Sequence, residues 1–340
     1  MLKKVPVRES VGLALGHDLT KVVAGRFKGP AFRRGHVVRP EDIPELLSMG
    51  KEYVYVYDPE PGEVHEDDAA LRLARVLAGP GLKVTSPQEG RANLVAEHSG
   101  LLRVYRAVVE AVNREENAAV ATLHDRQPVQ EGEMVAGVKI IPLVVREDWL
   151  ASLEERVGGQ GPAAEVKPWR RFRIGAIITG TEVTAARVPD AFGPALERKL
   201  SAFNQELARL VYLPDGAEGI AHAIRQMAAE GLEMVLVAGG MSVDPDDTTP
   251  AAIRQTGARI VTRGTPVFPG AMFMLAYLDE VPVLGLPACV MHDPATVFDL
   301  VFPRLLAGET VSREDFLSLA IGGLCRRCGE CRFPACPFGK

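Results

Sequence analysis

Met234-Val-Leu-Val-Ala-Gly-Gly-Met-Ser-Val-Asp-Pro-Asp-Asp-Thr-Thr-Pro-Ala-Ala-Ile253 is the stretch whose reading decides the fold. Its apolar run, Met234 to Ala238, has the length and branching of a buried parallel strand. Gly239-Gly240 ends that strand where the backbone needs freedom or close approach to something. A loop carrying Asp244, Asp246 and Asp247 follows, and Thr248-Thr249-Pro250 reads as a hydroxyl N-cap with proline at the first helical position. Strand, glycine pair and helix N-terminus in that order make a place where backbone N–H groups converge on an anion. Carboxylates repel a phosphate unless a divalent cation sits between them, and Mg²⁺ takes carboxylate and phosphate oxygens together. One reading is therefore a Mg²⁺-assisted phosphate or pyrophosphate site. The other is an Asp/Pro/Gly-rich connection with no ligand.

The flanking sequence alternates strand and helix. Arg173 to Ile178 reads as a buried strand ending at Thr179-Gly-Thr-Glu182, followed by a helix from Phe192 to Leu207. Leu210 to Asp215 is a second short strand, and Glu218 to Gly231 an amphipathic helix ending at glycine. A helix over Thr248 to Gln255 and a strand over Arg259 to Thr262 continue the pattern. Such alternation predicts an α/β fold, a mostly parallel sheet with helices on both faces. Ligands of these sheets bind outside the carboxyl ends of the strands, where Glu182, Asp215 and the Asp244 to Asp247 loop all fall. Beyond them, Ala271 to Leu278 and Val281 to Leu284 suggest a hairpin. Gly285-Leu-Pro287 is a stiff turn that can lie against a flat ligand or simply join strand to helix, the helix running through Val297 to Phe302. Cys289 there reads as a small buried hydrophobe rather than a nucleophile.

Chain length and composition bound the rest. Three hundred and forty residues predict about two domains. A formal charge of −5 argues against a whole-surface nucleic-acid binder. Neither a secretion signal nor an apolar run able to span a bilayer is visible, so a cytoplasmic chain without membrane partners is expected. Residues 1–165 read as an α+β region of one or two lobes. Its strands are Glu52 to Tyr57, Asn117 to Leu123 and Met134 to Val145, and its helices Glu66 to Ala78 and Arg146 to Arg156. Val157-Gly-Gly-Gln-Gly-Pro-Ala163 reads as a linker. Arg26 to Arg39 gathers six basic or imidazole side chains, either a clamp for an anion or a solvated loop. His17 and His65 stand beside acids, where capping or surface hydrogen bonding competes with metal or general-base roles.

Thr179-Gly-Thr-Glu182, Pro214-Asp215, Gly239-Gly-Met-Ser-Val-Asp-Pro-Asp-Asp247, Pro269-Gly270 and Gly285-Leu-Pro287 resemble, in order and spacing, the molybdopterin-binding domain of molybdenum-cofactor biosynthesis proteins. The resemblance covers about Arg173 to Gly308, a domain expected over 170–310. The upstream half is similar to accessory domains of the molybdotransferase branch. The resemblance implies three layers and a cleft for molybdopterin or its adenylylated form, where Mg²⁺ and molybdate join the intermediate and AMP leaves. Asp247, Glu182 and Asp215 match acids of that cleft, with Asp246, Asp247 and Glu182 as magnesium ligands. Thr179, Gly180, Gly239, Gly240, Ser242, Thr248, Gly285 and Pro287 match cofactor-binding positions. Family members usually have an acid where Thr181 stands, glycine at Asp244, and Gly-Asn-Pro at Ala288-Cys289-Val290. Relatives of this group commonly self-associate, so a homo-oligomer is expected.

Gly322 to Lys340 holds Cys325, Cys328, Cys331 and Cys336, four of the five cysteines. Without a secretion signal, metal rather than disulfide is the default. Cys-x₂-Cys-x₂-Cys-x₄-Cys-Pro is one residue longer at its end than a ferredoxin-like run, and Zn²⁺ on four thiolates competes with an iron–sulfur cluster. Three functional readings remain: an enzyme completing molybdenum insertion, a carrier that delivers molybdopterin or the finished cofactor to a molybdoenzyme, and a nucleotide-pyrophosphate or nicotinamide-nucleotide hydrolase. An ATPase with a Gly-x-x-x-x-Gly-Lys loop and a Gly-x-Ser-x-Gly hydrolase are excluded, because neither motif occurs.

Overall fold

The computed structural model describes residues 2–23, 27–58, 60–180, 190–245 and 247–340. Glu182 and Asp246, both expected at the site, lie outside the described residues. The chain divides into two compact units, with the main crossing at Val166/Lys167.

In the first unit, two amphipathic helices, Glu66–Leu77 and Glu147–Gly158, supply a buried leucine and alanine face. Strands Leu82–Val84, Arg91–Ala96, Met134–Ile140 and Ala118–Thr122 pair antiparallel in that spatial order. Arg72 ties the two helices, reaching Glu147 at 2.7 and 2.9 Å and Glu154 at 2.6 and 3.0 Å. A smaller apolar cluster, including Leu15, Phe32, Leu46 and Val54, gathers the first fifty-odd residues. The expected strand from Met134 to Val145 is two strands, because residues 141–143 form a bend before Val144–Arg146 pairs with Glu63–His65. The expected linker at Val157 is corrected as well. Val157 is fully buried, the helix runs on to Gly158, and a strand follows at Ala164–Pro168. A short glycine-rich turn inside a packed unit had the composition of a hinge.

In the second unit the elements are β1 (Ile174–Thr179), α1 (Phe192–Ser201), β2 (Leu207–Leu213), α2 (Ala217–Ala229) and β3 (Met234–Ala238). They continue with α3 (Thr249–Gln255), β4 (Arg259–Arg263), β5 (Met274–Leu278) and β6 (Val281–Leu286). Three helices follow: α4 (Cys289–His292), α5 (Val297–Leu306) and α6 (Arg313–Ser318). One sheet runs β2-β1-β3-β6-β5-β4. Four strands are parallel and the last two antiparallel, the hairpin β5–β6 having reversed the chain. Every residue of β1 and of β3 is buried, as strands covered on both faces require. Two apolar clusters do the covering. Leu196, Phe298 and Phe302 pack in one, and Ile220, Ile224 and Ile253 in the other.

Boundaries move where local chemistry decides. Helix α1 stops at Ser201 instead of reaching Leu207, because Asn204 takes a left-handed φ of 55° and turns the chain into β2. The helix expected to lead in from Cys289 is two, separated at Asp293, whose extended backbone ends α4. Thr296 then opens α5 with a capping box, its N–H donating to Asp299 at 2.7 Å. Asp299, which is buried, also takes Lys199 of α1 at 2.8 Å. Residues 320–340 belong to this same unit, and Phe338 enters its core at 3% exposure.

Arg304, 5% exposed, holds α5 to α6 through Asp315 at 2.7 Å and Glu309 at 2.9 Å. Burial raises the Asp315 carboxyl, but the Ser312 N–H and the Arg304 guanidinium outweigh it and hold it down at about 2. Since the unfolded value is about 3.9, this stabilisation is complete above pH of about 4 and is lost as pH falls through about 2. Asp315→Asn should lower stability at pH 7 by about 1–3 kcal/mol, and the difference from wild type should shrink towards pH 2. Urea titrations at the two pH values check this; an equal deficit at both would remove the carboxylate from the account.

Candidate functional site

The site begins at the carboxyl ends of β1 and β3, which are hydrogen-bonded neighbours with Ile178 opposite Ala238. Gly239 follows β3 with φ +98°, and a Cβ there would stand 2.4 Å from the Thr179 carbonyl oxygen and 2.7 Å from its hydroxyl. Gly240 has φ +56°, and a Cβ there would stand 2.9 Å from the Thr249 hydroxyl and 3.3 Å from that of Thr179. The glycine pair is thus required by a backbone approach between two strand ends. Thr249 secures the turn, donating its hydroxyl to the Gly239 carbonyl at 2.9 Å. Thr179 is buried, and its Oγ1 has no hydrogen-bond partner among the described residues. A buried hydroxyl without a partner costs roughly 1–3 kcal/mol, a cost that a polar ligand atom within reach would offset.

Beside this cradle lies a cavity of about 360 Å³. Gly239, Gly240, Ser242, Asp244 and Asp247 form its polar side, while Phe192, Met272 and Pro287 form an apolar one. The acidic loop folds on itself, the Asp247 carboxylate accepting the Asp244 N–H at 3.1 Å and the Asp247 N–H bonding the Asp244 carbonyl at 3.0 Å. Asp244 is exposed and Asp247 half-buried, so both carboxylates reach solvent at the cavity rim. Cys289 borders the same space, and burial, then the Asp293 charge, pushes its thiol up, away from the thiolate a nucleophile needs.

Not every expected residue lands in the cavity. Thr248 does not cap α3, for its hydroxyl accepts the Gly216 N–H at 3.1 Å. That bond brings the loop bearing Asp215 against the residue after Asp247. The seven residues of α3 also make it too short to serve as a phosphate-binding helix end. Gly285 sits inside β6, where a Cβ would stand 2.7 Å from the Met241 sulfur; its smallness admits Met241 rather than a ligand. The Gly180 N–H is committed to the Leu213 carbonyl at 3.2 Å. Sequence reasoning missed the apolar side. Phe192 and Met272 belong to none of the quoted motifs, although Met272 stands two residues after Pro269-Gly270, and neither carries a spacing signal.

Two histidines and one arginine of the first unit have clear partners, while the buried His17 Nδ1 has none among the described residues. His65, 2% exposed, accepts the Asp67 N–H on Nδ1 and donates from Nε2 to the Gly16 carbonyl at 2.8 Å, an N-cap for the helix it opens. His36 pairs with Asp42 at 2.6 Å, and Arg34 reaches Asp68 at 3.5 Å. These acids take up charge the basic segment offered to an anion. Among the described residues no three side chains of His, Cys, Asp or Glu are grouped closely enough to hold one metal ion, and no helix is long and apolar enough to cross a membrane.

Residues 175–307 match the family described as "Probable molybdopterin binding domain", and residues 4–58 match a domain of unknown function, DUF8806. The chain is 24% identical over 261 residues to the molybdopterin molybdenumtransferase of Synechococcus elongatus, covering 71% of this chain and 64% of that protein. A CinA-like protein of Mycobacterium sp. strain JLS is 37% identical over 81 residues, 24% of this chain and 19% of that one. The chain thus spans under two thirds of either relative's length. Among solved structures, the molybdopterin biosynthesis enzyme MoaB of Thermus thermophilus aligns at 20% identity and a TM-score of 0.33, over 41% of this chain and 98% of that one. The tungsten cofactor synthesizing protein MoaB of Pyrococcus furiosus aligns at 19% and 0.32, over 40% and 92%. Residues 175–307 are thus similar to the probable molybdopterin binding domain, and the rest of the chain lies outside that match.

Proposed function

We propose that the cavity at the carboxyl ends of β1 and β3 binds molybdopterin in its adenylylated form, and that the chain completes molybdenum insertion there with release of AMP. The observation that carries this reading is the buried Thr179 hydroxyl, without a partner among the described residues, set beside two side-chain-free residues. Phosphate oxygens supply the acceptors that this donor lacks, and only glycine lets them approach so near the backbone. Phe192, Met272 and Pro287 offer the apolar surface that a flat pterin needs.

The rim carboxylates carry the metal side of the proposal. Asp244 and Asp247, with the Ser242 hydroxyl beside them, are hard oxygen donors that suit Mg²⁺, and Asp246 and Glu182 extend the set in sequence. Bound Mg²⁺ supplies neutralisation of phosphate charge. Thr179 and the glycine turn hold and orient the phosphate end, and Asp215, brought near by the Gly216–Thr248 bond, adds a further acid. Cleaving a phosphoanhydride asks for this positioning more than for a covalent nucleophile, consistent with the raised Cys289 thiol. Cys289 nevertheless stands where relatives usually have asparagine. That departure favours a second reading, a carrier that holds molybdopterin or the finished cofactor for a molybdoenzyme.

Incubating the full chain with adenylylated molybdopterin, molybdate and Mg²⁺ should release AMP, and Asp247→Ala should slow that release at least about 100-fold. Tight binding without AMP release points to the carrier; an unchanged rate in the variant overturns the site. Thr179→Val keeps the shape and removes the stranded hydroxyl. It should raise stability by about 1 kcal/mol while weakening binding of the ligand about 10-fold. Thermal melts with fluorescence titration test both halves, and unaltered affinity would free Thr179 of any ligand role.

A further inference from the structure

We propose that the C-terminal segment is an iron–sulfur site, with Cys325, Cys328, Cys331 and Cys336 as its ligands. All four line one cavity of about 420 Å³, separate from the one beside Gly239. Three observations support a cluster there.

The segment is built as a closed loop without regular structure. Its ends meet where the Gly339 N–H bonds the Gly322 carbonyl at 2.9 Å, and Phe338 is buried in the core. Its beginning is fixed by two further bonds: Phe268 N–H to the Gly323 carbonyl and Cys325 N–H to the Phe268 carbonyl, each 2.8 Å. Between these anchors the described backbone has neither helix nor strand, and all five cysteines are free thiols. So short an irregular loop has little core of its own and needs an internal staple. What its centre offers is four thiols around a space.

The size of that space, about 420 Å³, suits a multi-iron cluster better than a single ion. Tetrahedral Zn²⁺ draws four sulfurs to about 2.3 Å from a single point and leaves no volume between them. Here the four cysteines line one open cavity. A multi-iron cluster fills a chamber and meets its ligands at the walls. The spacing agrees, since a run of Cys-x₂-Cys-x₂-Cys closing on Cys-Pro is close to that of iron–sulfur ligands.

Charge and hydrogen bonding complete the case. Four thiolates bring a net negative charge to the cluster, and Arg326, Arg327 and Arg332 line the same cavity. The Arg327 N–H already points at the Cys325 sulfur at 3.5 Å, the type of bond that tunes such centres. Arg327 is in turn held by Asp293 at 3.6 Å. Asp293 and His292 line this cavity, while Cys289, at the start of the same one-turn α4, borders the other. One helical turn lies between the two chambers.

The test is anaerobic purification of the full chain, followed by reconstitution with ferrous iron and sulfide. Iron and acid-labile sulfide should be retained in equal amounts, with a visible absorption band that bleaches under dithionite. Cys328 and Cys331 are exposed, so Cys328→Ser and Cys331→Ser should keep the far-ultraviolet circular dichroism while losing most of the band. Colourless protein that takes up one zinc per chain in place of iron overturns the proposal, as does retention of no metal. A full band in the Cys331→Ser variant overturns the ligand assignment.

Discussion

The second unit depends on one approach, that of Gly239 to the Thr179 carbonyl at the ends of two neighbouring parallel strands. Parallel pairing of β1 with β3 puts Ile178 and Ala238 side by side, so whatever follows each strand must share the same small volume. A side chain at 239 cannot fit, and the chain turns away in a left-handed conformation available cheaply only to glycine. That turn leaves the Thr179 hydroxyl buried with no partner among the described residues, and brings Ser242, Asp244 and Asp247 to the rim. The polar chemistry of the cavity follows from this backbone contact rather than from any charged cluster.

The antiparallel end of the sheet serves the same cavity from the other side. Because β5 and β6 form a hairpin, the chain re-enters beside β3 and delivers Pro287 to Cys289 next to the glycine turn. Gly285 takes part indirectly, leaving room for Met241, which is 4% exposed. The turn at 239–241 is therefore wedged from behind as well as pinned by Thr249. A cavity floor held on both sides keeps its shape before any ligand arrives, the condition for binding without a large ordering cost.

The strand, glycine pair and acidic loop were legible because each rests on local chemistry: an unbroken apolar run, residues allowed at positive φ, and acids confined to a turn. What stayed hidden was set by tertiary partners. Thr248 has the composition of an N-cap, yet its hydroxyl is claimed by Gly216 from another loop. Asn204 turns the chain out of α1, where apolar periodicity alone allowed the helix to continue towards Leu207. Gly285 looked like a ligand contact because glycine near a cleft suggests close approach. The approach is real, but the approaching atom is a methionine sulfur. Phe192 and Met272 show the limit most plainly, since no motif marks a residue whose role is to be an apolar wall.

The two chambers of the second unit solve opposite electrostatic problems. The glycine-turn cavity is rimmed by Asp244 and Asp247, charges that repel the phosphorylated guest proposed for it. Its rim is hospitable only with a cation between them, so binding there should be strongly metal-dependent while the Thr179 contact is not. The tail chamber carries Arg326, Arg327 and Arg332 among the four cysteines proposed as ligands, and that positive charge is intrinsic to the protein. Helix α4 lies between these two fields, with half-buried Cys289 at one end and Asp293 at the other. Burial, and after it the Asp293 charge, raises the Cys289 thiol, and the Asp293 carboxylate also pairs with Arg327.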